Sequence, residues 1–214
     1  MKLREDFKNF VSTIPSNIHL VAVTKYVDES VIKEMYLEGI RDFGENRVED
    51  FLNKYEKLED LKEIRWHFIG HLQRNKALKV INKISCLHSL DSLLLADIID
   101  KNRLTPLDCF VEVSINLEES KSGVPYPEIE AFIKELIKYK NINIKGLMMM
   151  AIKDSNRESL LNQFNKLVAL RNQIEKDLNI SLPELSMGMS NDYKDAIIEG
   201  ATHIRLGRIL WNML

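Results

Sequence analysis

The run Ile18-His19-Leu20-Val21-Ala22-Val23-Thr24-Lys25 is apolar through its middle and ends on a lysine. A second run, Gly146-Leu147-Met148-Met149-Met150-Ala151, contains no polar side chain at all. Continuous apolar runs of this length are typical of strands that are buried on both faces, as the strands of a parallel sheet are. The two runs therefore predict a parallel β-sheet.

Eight short apolar runs of this kind alternate with longer amphipathic patterns along the whole chain. We predict strands at about residues 18–24, 40–43, 65–69, 84–88, 107–115, 142–150, 183–187 and 202–206. Each is followed by a predicted helix, and a further helix over 3–11 precedes the first strand. Eight strand-helix units in 214 residues favour a single (β/α)8 TIM barrel with an extra N-terminal helix. The alternative is a doubly wound open sheet, which usually contains fewer strands.

Composition narrows the class of protein. The hydrophobic fraction of 45% and the net charge of −2 are those of an ordinary globular protein with no electrostatic preference for nucleic acid or a membrane surface. No apolar run approaches the ~20 residues that span a bilayer, and the charged N-terminus is unlike a signal peptide. We expect one cytoplasmic domain, 1–214, whose two cysteines, Cys86 and Cys109, are buried and reduced.

The candidate functional residues lie where strands end, because the working face of a parallel barrel is at the carboxyl ends of its strands. The polar or glycine residues at these positions are Lys25, Glu45, Asn46, His71, Gln73, Lys121, Ser190, Asn191, Arg205, Gly207 and Arg208.

Lys25 has two interpretations. An amine at the end of a buried strand is partly desolvated, which makes it more nucleophilic toward an aldehyde. Alternatively, the stem of the lysine packs along the rim and its amine reaches solvent. Taken alone, the residue favours the second interpretation.

Two segments near the C-terminus suit a phosphate group. In Ser186-Met187-Gly188-Met189-Ser190-Asn191-Asp192, Ser190 or Asn191 is the predicted N-cap of a helix, whose free amides and neighbouring hydroxyl can bind an anion. In Arg205-Leu206-Gly207-Arg208, the glycine allows the backbone to approach a ligand closely. For the first segment, ordinary helix capping is the alternative and is by itself more common than phosphate binding. TIM barrels, however, often bind phosphate at the loops after strands seven and eight, and these are the two loops concerned.

No metal site is predicted. His67 and His71 have the i, i+4 spacing of helical zinc ligands, but the segment around His67 is a predicted strand. Cys86 and His88 form an i, i+2 pair that no further residue in the sequence completes.

Several motifs together resemble one family. They are Val21-Ala22-Val23-Thr24-Lys25, Phe43-Gly44-Glu45-Asn46, Trp66-His67-Phe68-Ile69-Gly70-His71-Leu72-Gln73-Arg74-Asn75-Lys76, Lys121-Ser122-Gly123, Gly146-Leu147-Met148 and Leu185-Ser186-Met187-Gly188-Met189-Ser190. In this order, and over nearly the whole chain, they resemble the pyridoxal phosphate homeostasis proteins. The resemblance implies a TIM barrel similar to the N-terminal domain of alanine racemase, with pyridoxal 5'-phosphate (PLP) bound to Lys25 as a Schiff base.

The resemblance also implies roles for the other candidates. Ser190 and the backbone amides of Gly207 and Arg208 would hold the phosphate, and Arg205 matches the arginine that faces the pyridine nitrogen. An arginine there disfavours protonation of the ring, because two adjacent cations repel each other, and it weakens the cofactor as an electron sink. Asn46 and His71 lie in motifs that line the pocket.

The run Gly207-Arg208-Ile209-Leu210-Trp211-Asn212 departs from the family pattern. The family usually has a small hydroxyl residue where this chain has Arg208, followed by an aromatic-glycine pair. A lost hydrogen bond to a charged acceptor costs roughly 1.5–3 kcal/mol. Arg208 either offsets this loss by pairing with the phosphate or points away from it.

Three functions are weighed. The first is a monomeric PLP holder without robust turnover, with PLP-dependent apoenzymes as recipients of the cofactor. In its favour, no second base opposite Lys25 is evident, and no second, β-rich domain of the kind that completes a racemase is expected. The second is an amino-acid racemase that acts through Lys25. The third is a barrel that binds a phosphorylated ligand without a Schiff base.

Overall fold

The computed structural model describes residues 2–115 and 122–213; the candidate Lys121 lies outside these residues. The strands are β1 (His19–Val23), β2 (Asp42–Glu45), β3 (Arg65–Phe68), β4 (Cys86–Leu90), β5 (Leu107–Ser114), β6 (Val124–Pro125), β7 (Ile142–Met148), β8 (Glu184–Ser186) and β9 (His203–Leu206). The helices are α1 (Lys2–Ser12), α2 (Glu29–Leu37), α3 (Val48–Lys57), α4 (Arg74–Val80), α5 (Leu93–Asn102), α6 (Ile129–Leu136), α7 (Arg157–Leu178), α8 (Tyr193–Ile198) and α9 (Arg208–Trp211), with a 3₁₀ turn at Tyr126–Glu128.

The sheet closes on itself. β1 pairs in parallel with both β2 and β9, and the ring continues through β3, β4, β5, β7 and β8. The two-residue strand β6 pairs with β5 and lies outside the eight-stranded ring. The predicted (β/α)8 barrel with an extra N-terminal helix is therefore confirmed.

Two predicted strands are displaced by two residues, and one of them is β4, which covers Cys86–Leu90 whereas the sequence placed it at 84–88. The other is β2, which covers Asp42–Glu45, whereas the sequence placed it at 40–43. The amide of Ile40 donates to the carbonyl of Met35 at 3.0 Å, so Ile40 still belongs to the end of α2. Gly39 makes this ending possible, because its φ of +99° lies in the left-handed region. Gly44 lies inside β2, where an added Cβ would come within 3.0 Å of Val21.

The interior of the barrel differs from the layer between strands and helices. That outer layer is a large apolar core to which α1 contributes the fully buried Phe7. Inside the barrel the apolar cluster is small: Cys86, Phe110 and Met148. Much of the interior is instead polar, and this polar part is described below.

Two smaller expectations concern the cysteines and the membrane. Cys86 and Cys109 are buried free thiols, as predicted. Burial raises the pKa of both thiols, which keeps them protonated. None of the described helices is long and apolar enough to cross a bilayer.

Candidate functional site at the carboxyl end of the barrel

Lys25 lies two residues beyond the end of β1 and is half-buried. Its Nζ is 5.1 Å from the ring centroid of Tyr26, which is itself 75% exposed. No carboxylate among the described residues forms an ion pair with this amine. Lys25 is thus a rim lysine that is partly shielded from water and has no counter-ion within the described part of the chain.

The two segments suited to phosphate meet beside β1. The amide of Gly207 donates to Ser190 Oγ at 3.4 Å, and a Cβ added at Gly207 would lie 3.6 Å from the carbonyl oxygen of Val23. The ring of Trp211 lies against the same glycine, 3.4 Å from that Cβ position. The loops after β8 and β9 therefore converge at the end of the strand that leads to Lys25.

The predicted helix cap after β8 is wrong by one or two residues. The N-cap of α8 is Asp192, and neither Ser190 nor Asn191 holds that position. The carboxylate of Asp192 accepts a hydrogen bond from the amide of Met189, which tightens the loop and leaves the Ser190 hydroxyl beside Gly207. Burial raises the pKa of Asp192, and the hydrogen bond from the Met189 amide opposes that effect.

Arg205 is buried inside the barrel, with 5% of its surface exposed. Its Nη1 donates to Ser186 Oγ at 2.5 Å and its Nη2 donates to the carbonyl oxygen of Met149 at 2.9 Å. Burial lowers the pKa of Arg205 to about 10, against the opposing charges of Asp192 and Glu112. The guanidinium is thus a fixed cation that forms no ion pair within the described residues.

Arg208, in contrast to the buried Arg205, lies at the surface. It is exposed at the first position of α9, and its side chain forms no hydrogen bond or ion pair with another described residue. The side chain is therefore free to turn toward a ligand or away from it.

Asn46 and His71 lie on the opposite side of the mouth, after β2 and β3. Asn46 Oδ1 is buried without a hydrogen-bond partner. Gly70 packs directly on Asn46: a Cβ added at Gly70 would be 2.3 Å from the Asn46 carbonyl oxygen. His71 is exposed, and its Nδ1 lies 3.0 Å from Asp91 Oδ2. Asn46 thus has a buried, unused acceptor, whereas His71 is paired at the rim.

Glu112, near the end of β5, was not predicted from sequence. The residue is 3% exposed. Its carboxylate accepts a hydrogen bond from Ser122 Oγ at 2.9 Å on Oε1 and has no partner on Oε2. Burial raises the pKa of Glu112, and the nearby Asp91 adds to the effect. In the sequence, Glu112 is a single carboxylate within an apolar run and belongs to no spacing motif. Its acidic side chain in a predicted buried strand is the one signal that could have identified it.

Glu45 and Lys54 form a buried pair beneath the mouth. Lys54 Nζ lies 2.6 Å from Glu45 Oε1 and donates to the carbonyl oxygen of Thr24 at 2.7 Å. The hydroxyl of Thr24 donates to the same Glu45 oxygen at 2.6 Å. Burial raises the pKa of Glu45, and the hydrogen bonds from Lys54 and Thr24 oppose that effect. The pair anchors the backbone next to Lys25.

The fold groups the histidines differently from what their spacing in the sequence suggests. His67 lies inside the barrel and His71 at its rim, so the two are not co-ligands. The sequence left Cys86 and His88 without a third partner, but the fold brings His67 to them, with the ligand atoms of all three within 4.8 Å of one another. His67 and His88 also hydrogen-bond to each other, as described below.

Comparison with known proteins agrees with this fold. The family model described as "Alanine racemase, N-terminal domain" matches residues 1–213. The chain is 40% identical over 196 residues to the pyridoxal phosphate homeostasis protein of Aquifex aeolicus, covering 90% of this chain and 85% of the relative. It is 38% identical over 209 residues to that of Synechocystis sp., covering 96% and 95%.

Among solved structures, PipY of Synechococcus elongatus with PLP bound superposes with a TM-score of 0.92 and 31% identity. The match covers 98% of this chain and 99% of PipY. Both the family model and these relatives span nearly the whole chain. This chain therefore belongs to the pyridoxal phosphate homeostasis protein family, within the wider alanine racemase N-terminal domain family.

Proposed function

We propose that this protein binds PLP at the carboxyl end of its barrel and holds it as a Schiff base on Lys25, serving PLP homeostasis. The observation that carries the proposal is Lys25 itself: a half-buried amine at a strand end, with no counter-ion among the described residues. PLP supplies an aldehyde, whose carbonyl oxygen leaves as water when the amine nitrogen bonds to its carbon. The PLP bound to PipY, which shares this fold, supports the ligand class.

The loops after β8 and β9 suit the phosphate of the cofactor. The Ser190 hydroxyl and the amide of Gly207 lie 3.4 Å apart, and the first amides of α9 have no partner within the helix. A Cβ added at Gly207 would be in ordinary van der Waals contact with the ring of Trp211, 3.4 Å away. We propose that Ser190 and the amides of Gly207 and Arg208 bind the phosphate.

The interior side of the mouth suits the pyridine ring. Arg205 uses two of its five N–H groups on Ser186 and Met149, which leaves donors for a ring nitrogen. Asn46 Oδ1 and Glu112 Oε2 are buried acceptors without partners, and buried polar groups without partners are uncommon except where a ligand completes them. These residues fit a polar aromatic ligand, and we propose that Arg205 faces its ring nitrogen. We propose that Asn46 and His71 line the pocket.

The test is the absorbance spectrum and mass of the purified protein, before and after borohydride. We expect a yellow protein, with borohydride fixing one PLP on Lys25. Lys25→Ala should lose both the colour and the mass increment. Lys101→Ala, at an exposed lysine of α5, is the matched control and should keep both. A wild-type protein that is colourless and fails to bind added PLP would contradict the proposal. Binding without a borohydride-dependent increment would favour the phospho-ligand barrel.

A holder and a racemase differ in proton exchange. We propose a holder without robust turnover, so the α-proton of amino acids should not exchange in deuterated water. Rapid exchange that depends on Lys25 would favour the racemase instead.

Arg208→Thr tests how the phosphate is held. This variant restores the hydroxyl that the family usually has. If Arg208 turns toward the phosphate, its replacement should leave PLP affinity unchanged or weaker, because an ion pair is exchanged for a hydrogen bond. Tighter binding by about tenfold would show that the arginine points away.

The oligomeric state, the location in the cell and the recipients of PLP follow from the proposed role as a holder. We propose a cytoplasmic monomer that hands PLP to PLP-dependent apoenzymes. Sedimentation of the purified holoprotein and transfer of colour to an apoenzyme, measured as its regained activity, test these two points.

A further inference from the structure

A continuous line of hydrogen bonds crosses the interior of the barrel. It starts at the amino-terminal end, where Arg65 donates to Asp42 through Nε at 2.6 Å and Nη2 at 2.5 Å. Asp42 Oδ1 lies 2.9 Å from His67 Nε2, and His67 Nδ1 lies 2.8 Å from His88 Nε2. These contacts join the starts of β2 and β3 to the middle of β4.

The line continues to the candidate site. His88 Nδ1 lies 2.8 Å from Ser186 Oγ, which also accepts the hydrogen bond from Arg205 Nη1. His88 and Ser186 are both fully buried. We call this line the interior chain; its members are Asp42, His67, His88, Ser186 and Arg205.

The two ends of the interior chain fix its direction. Burial raises the pKa of Asp42, but hydrogen bonds from His67 and Arg65 outweigh it and hold that pKa below its usual value, so Asp42 is an ionised acceptor. A guanidinium has only donors, so Arg205 can only donate. The first bond therefore runs from His67 to Asp42, and the last runs from Arg205 to Ser186.

The middle of the chain then has one arrangement that satisfies every group. Ser186 donates its hydroxyl proton to His88 Nδ1, and His88 donates from Nε2 to His67 Nδ1, so both rings are neutral with the proton on Nε2. In the opposite arrangement His88 donates to Ser186, whose hydroxyl proton meets no other acceptor within the described residues. A buried unsatisfied donor costs about 1–3 kcal/mol, so the first arrangement is favoured. Burial also lowers the pKa of His88 well below its usual value, which agrees with a neutral ring.

We propose that Asp42, His67, His88 and Ser186 are positioning residues for Arg205: they orient its guanidinium as a donor toward the ligand ring. This inference rests on the proposed function for the identity of the ligand. The hydrogen bonds of the interior chain are present without a ligand. Its consequence is that the barrel interior, and not only the rim, sets how Arg205 meets the bound molecule. The competing explanation is a metal site at His67, Cys86 and His88, whose ligand atoms are close enough to share an ion.

The first experiment needs no ligand. Nitrogen-15 NMR of the histidine side chains in the PLP-free protein, near neutral pH, should give His67 and His88 as neutral Nε2–H rings. A doubly protonated ring, or the Nδ1–H form at either position, would contradict the direction of the interior chain.

The second experiment uses Ser186→Ala, which removes the acceptor for Arg205 and the donor for His88. We expect PLP to bind about tenfold more weakly, the loss of one such hydrogen bond. We also expect an altered absorbance of the bound PLP, because that absorbance depends on the ring nitrogen, and altered His88 signals in the PLP-free variant. Cys86→Ala is the matched control, because Cys86 is buried beside His88 but forms none of the hydrogen bonds of the interior chain. The PLP affinity and the spectra of this variant should be those of the wild type.

The outcomes separate the proposals. If Ser186→Ala binds PLP and absorbs as the wild type does, the positioning role is wrong. If the wild type binds no PLP, the proposed function fails, while the histidine signals still decide the direction of the chain. Zn²⁺ is the test for the metal site at His67, Cys86 and His88. If Zn²⁺ binds the wild type and shifts the NMR signals of His67 and His88, but does not bind Cys86→Ala or shift these signals in it, the three residues form a metal site and the inference is wrong.

Discussion

The two ends of the barrel treat their polar groups differently. At the amino-terminal end, carboxylates pair with cations, a histidine or an amide: Asp42 with Arg65 and His67, Glu184 with Lys145, and Asp108 with Asn143. At the carboxyl end, Lys25 has no counter-ion among the described residues, and Asn46 and Glu112 each have a buried oxygen without a partner. The Glu45–Lys54 pair lies beneath this mouth and the His71–Asp91 pair at its rim, but Glu45 Oε2 is also a buried oxygen without a partner.

This difference separates stability from binding. Groups that are paired within the protein stabilise the fold and leave nothing to offer a ligand. Groups left unpaired cost stability in the ligand-free protein and become satisfied when a ligand binds. Substitutions of paired groups and of unpaired groups should therefore differ in the sign of their effect on the free energy of unfolding.

The largest effect should come from breaking the buried pair. Lys54→Met keeps the length of the side chain but leaves Glu45 buried without its cation, which should cost about 3–5 kcal/mol of unfolding free energy. Lys57→Met, one turn further along α3, breaks the more exposed pair with Glu29 and should cost about 1 kcal/mol or less. Urea unfolding measures both. Without Lys54, Glu45 ionises less readily, so the deficit should shrink as the pH falls; a deficit that grows on acidification would contradict this account.

A smaller effect on the free energy of unfolding should follow from protonation of His203, at the amino-terminal end of the barrel. Its ring stacks on His19 at 4.4 Å, and burial, with the charge of His19, lowers the pKa of His203 to about 3. The unfolded chain binds this proton near the usual histidine pKa of about 6.5, so stability is lost as the pH falls below that value. Between pH 7 and pH 5 the wild type should lose about 2 kcal/mol more than His203→Phe, which keeps a stacking ring.

Parallel urea unfolding at the two pH values checks this prediction. Equal losses in the wild type and His203→Phe would mean that His203 does not resist protonation.

The smallest effect should have the opposite sign. Glu112→Gln keeps the acceptor for Ser122 and removes a buried carboxylate whose second oxygen has no partner. Because burial raises the pKa of Glu112, its ionisation opposes folding at neutral pH, and the variant should gain about 1 kcal/mol. Thermal unfolding near pH 7 measures the gain, with the exposed Glu130→Gln as a control expected within about 0.5 kcal/mol of the wild type. A destabilised Glu112→Gln would remove the contrast between the two ends.

Much of the fold was predictable because its signals are local. Apolar runs marked all eight barrel strands, and the residues after them gathered at one mouth because parallel strands end together. The position of β2 was missed because hydropathy does not distinguish Ile40, at a helix end, from a strand residue. The cap at Asp192 was missed because three residues in succession, from Ser190 onward, are good capping types.

The interior chain had no local signal. Strands that are buried on both faces show no alternation, so the sequence does not tell which side chains point into the barrel. His88 and Ser186 are 98 residues apart, and only closure of the ring brings them within a hydrogen bond. Glu112 and the Glu45–Lys54 pair were missed for the same reason: their significance depends on burial and partners across the barrel.

The packing of Trp211 against Gly207 also has an optical consequence. The chain has two tryptophans, and the other, Trp66, is 4% exposed and packs edge-on against Phe51 in the outer core. Trp211 instead lies at the mouth, 6.5 Å between ring centroids from Tyr26, the neighbour of Lys25. Replacing Trp66 by phenylalanine would leave a single indole whose fluorescence follows occupancy of the mouth, so that ligand capture and release could be timed in unlabelled protein.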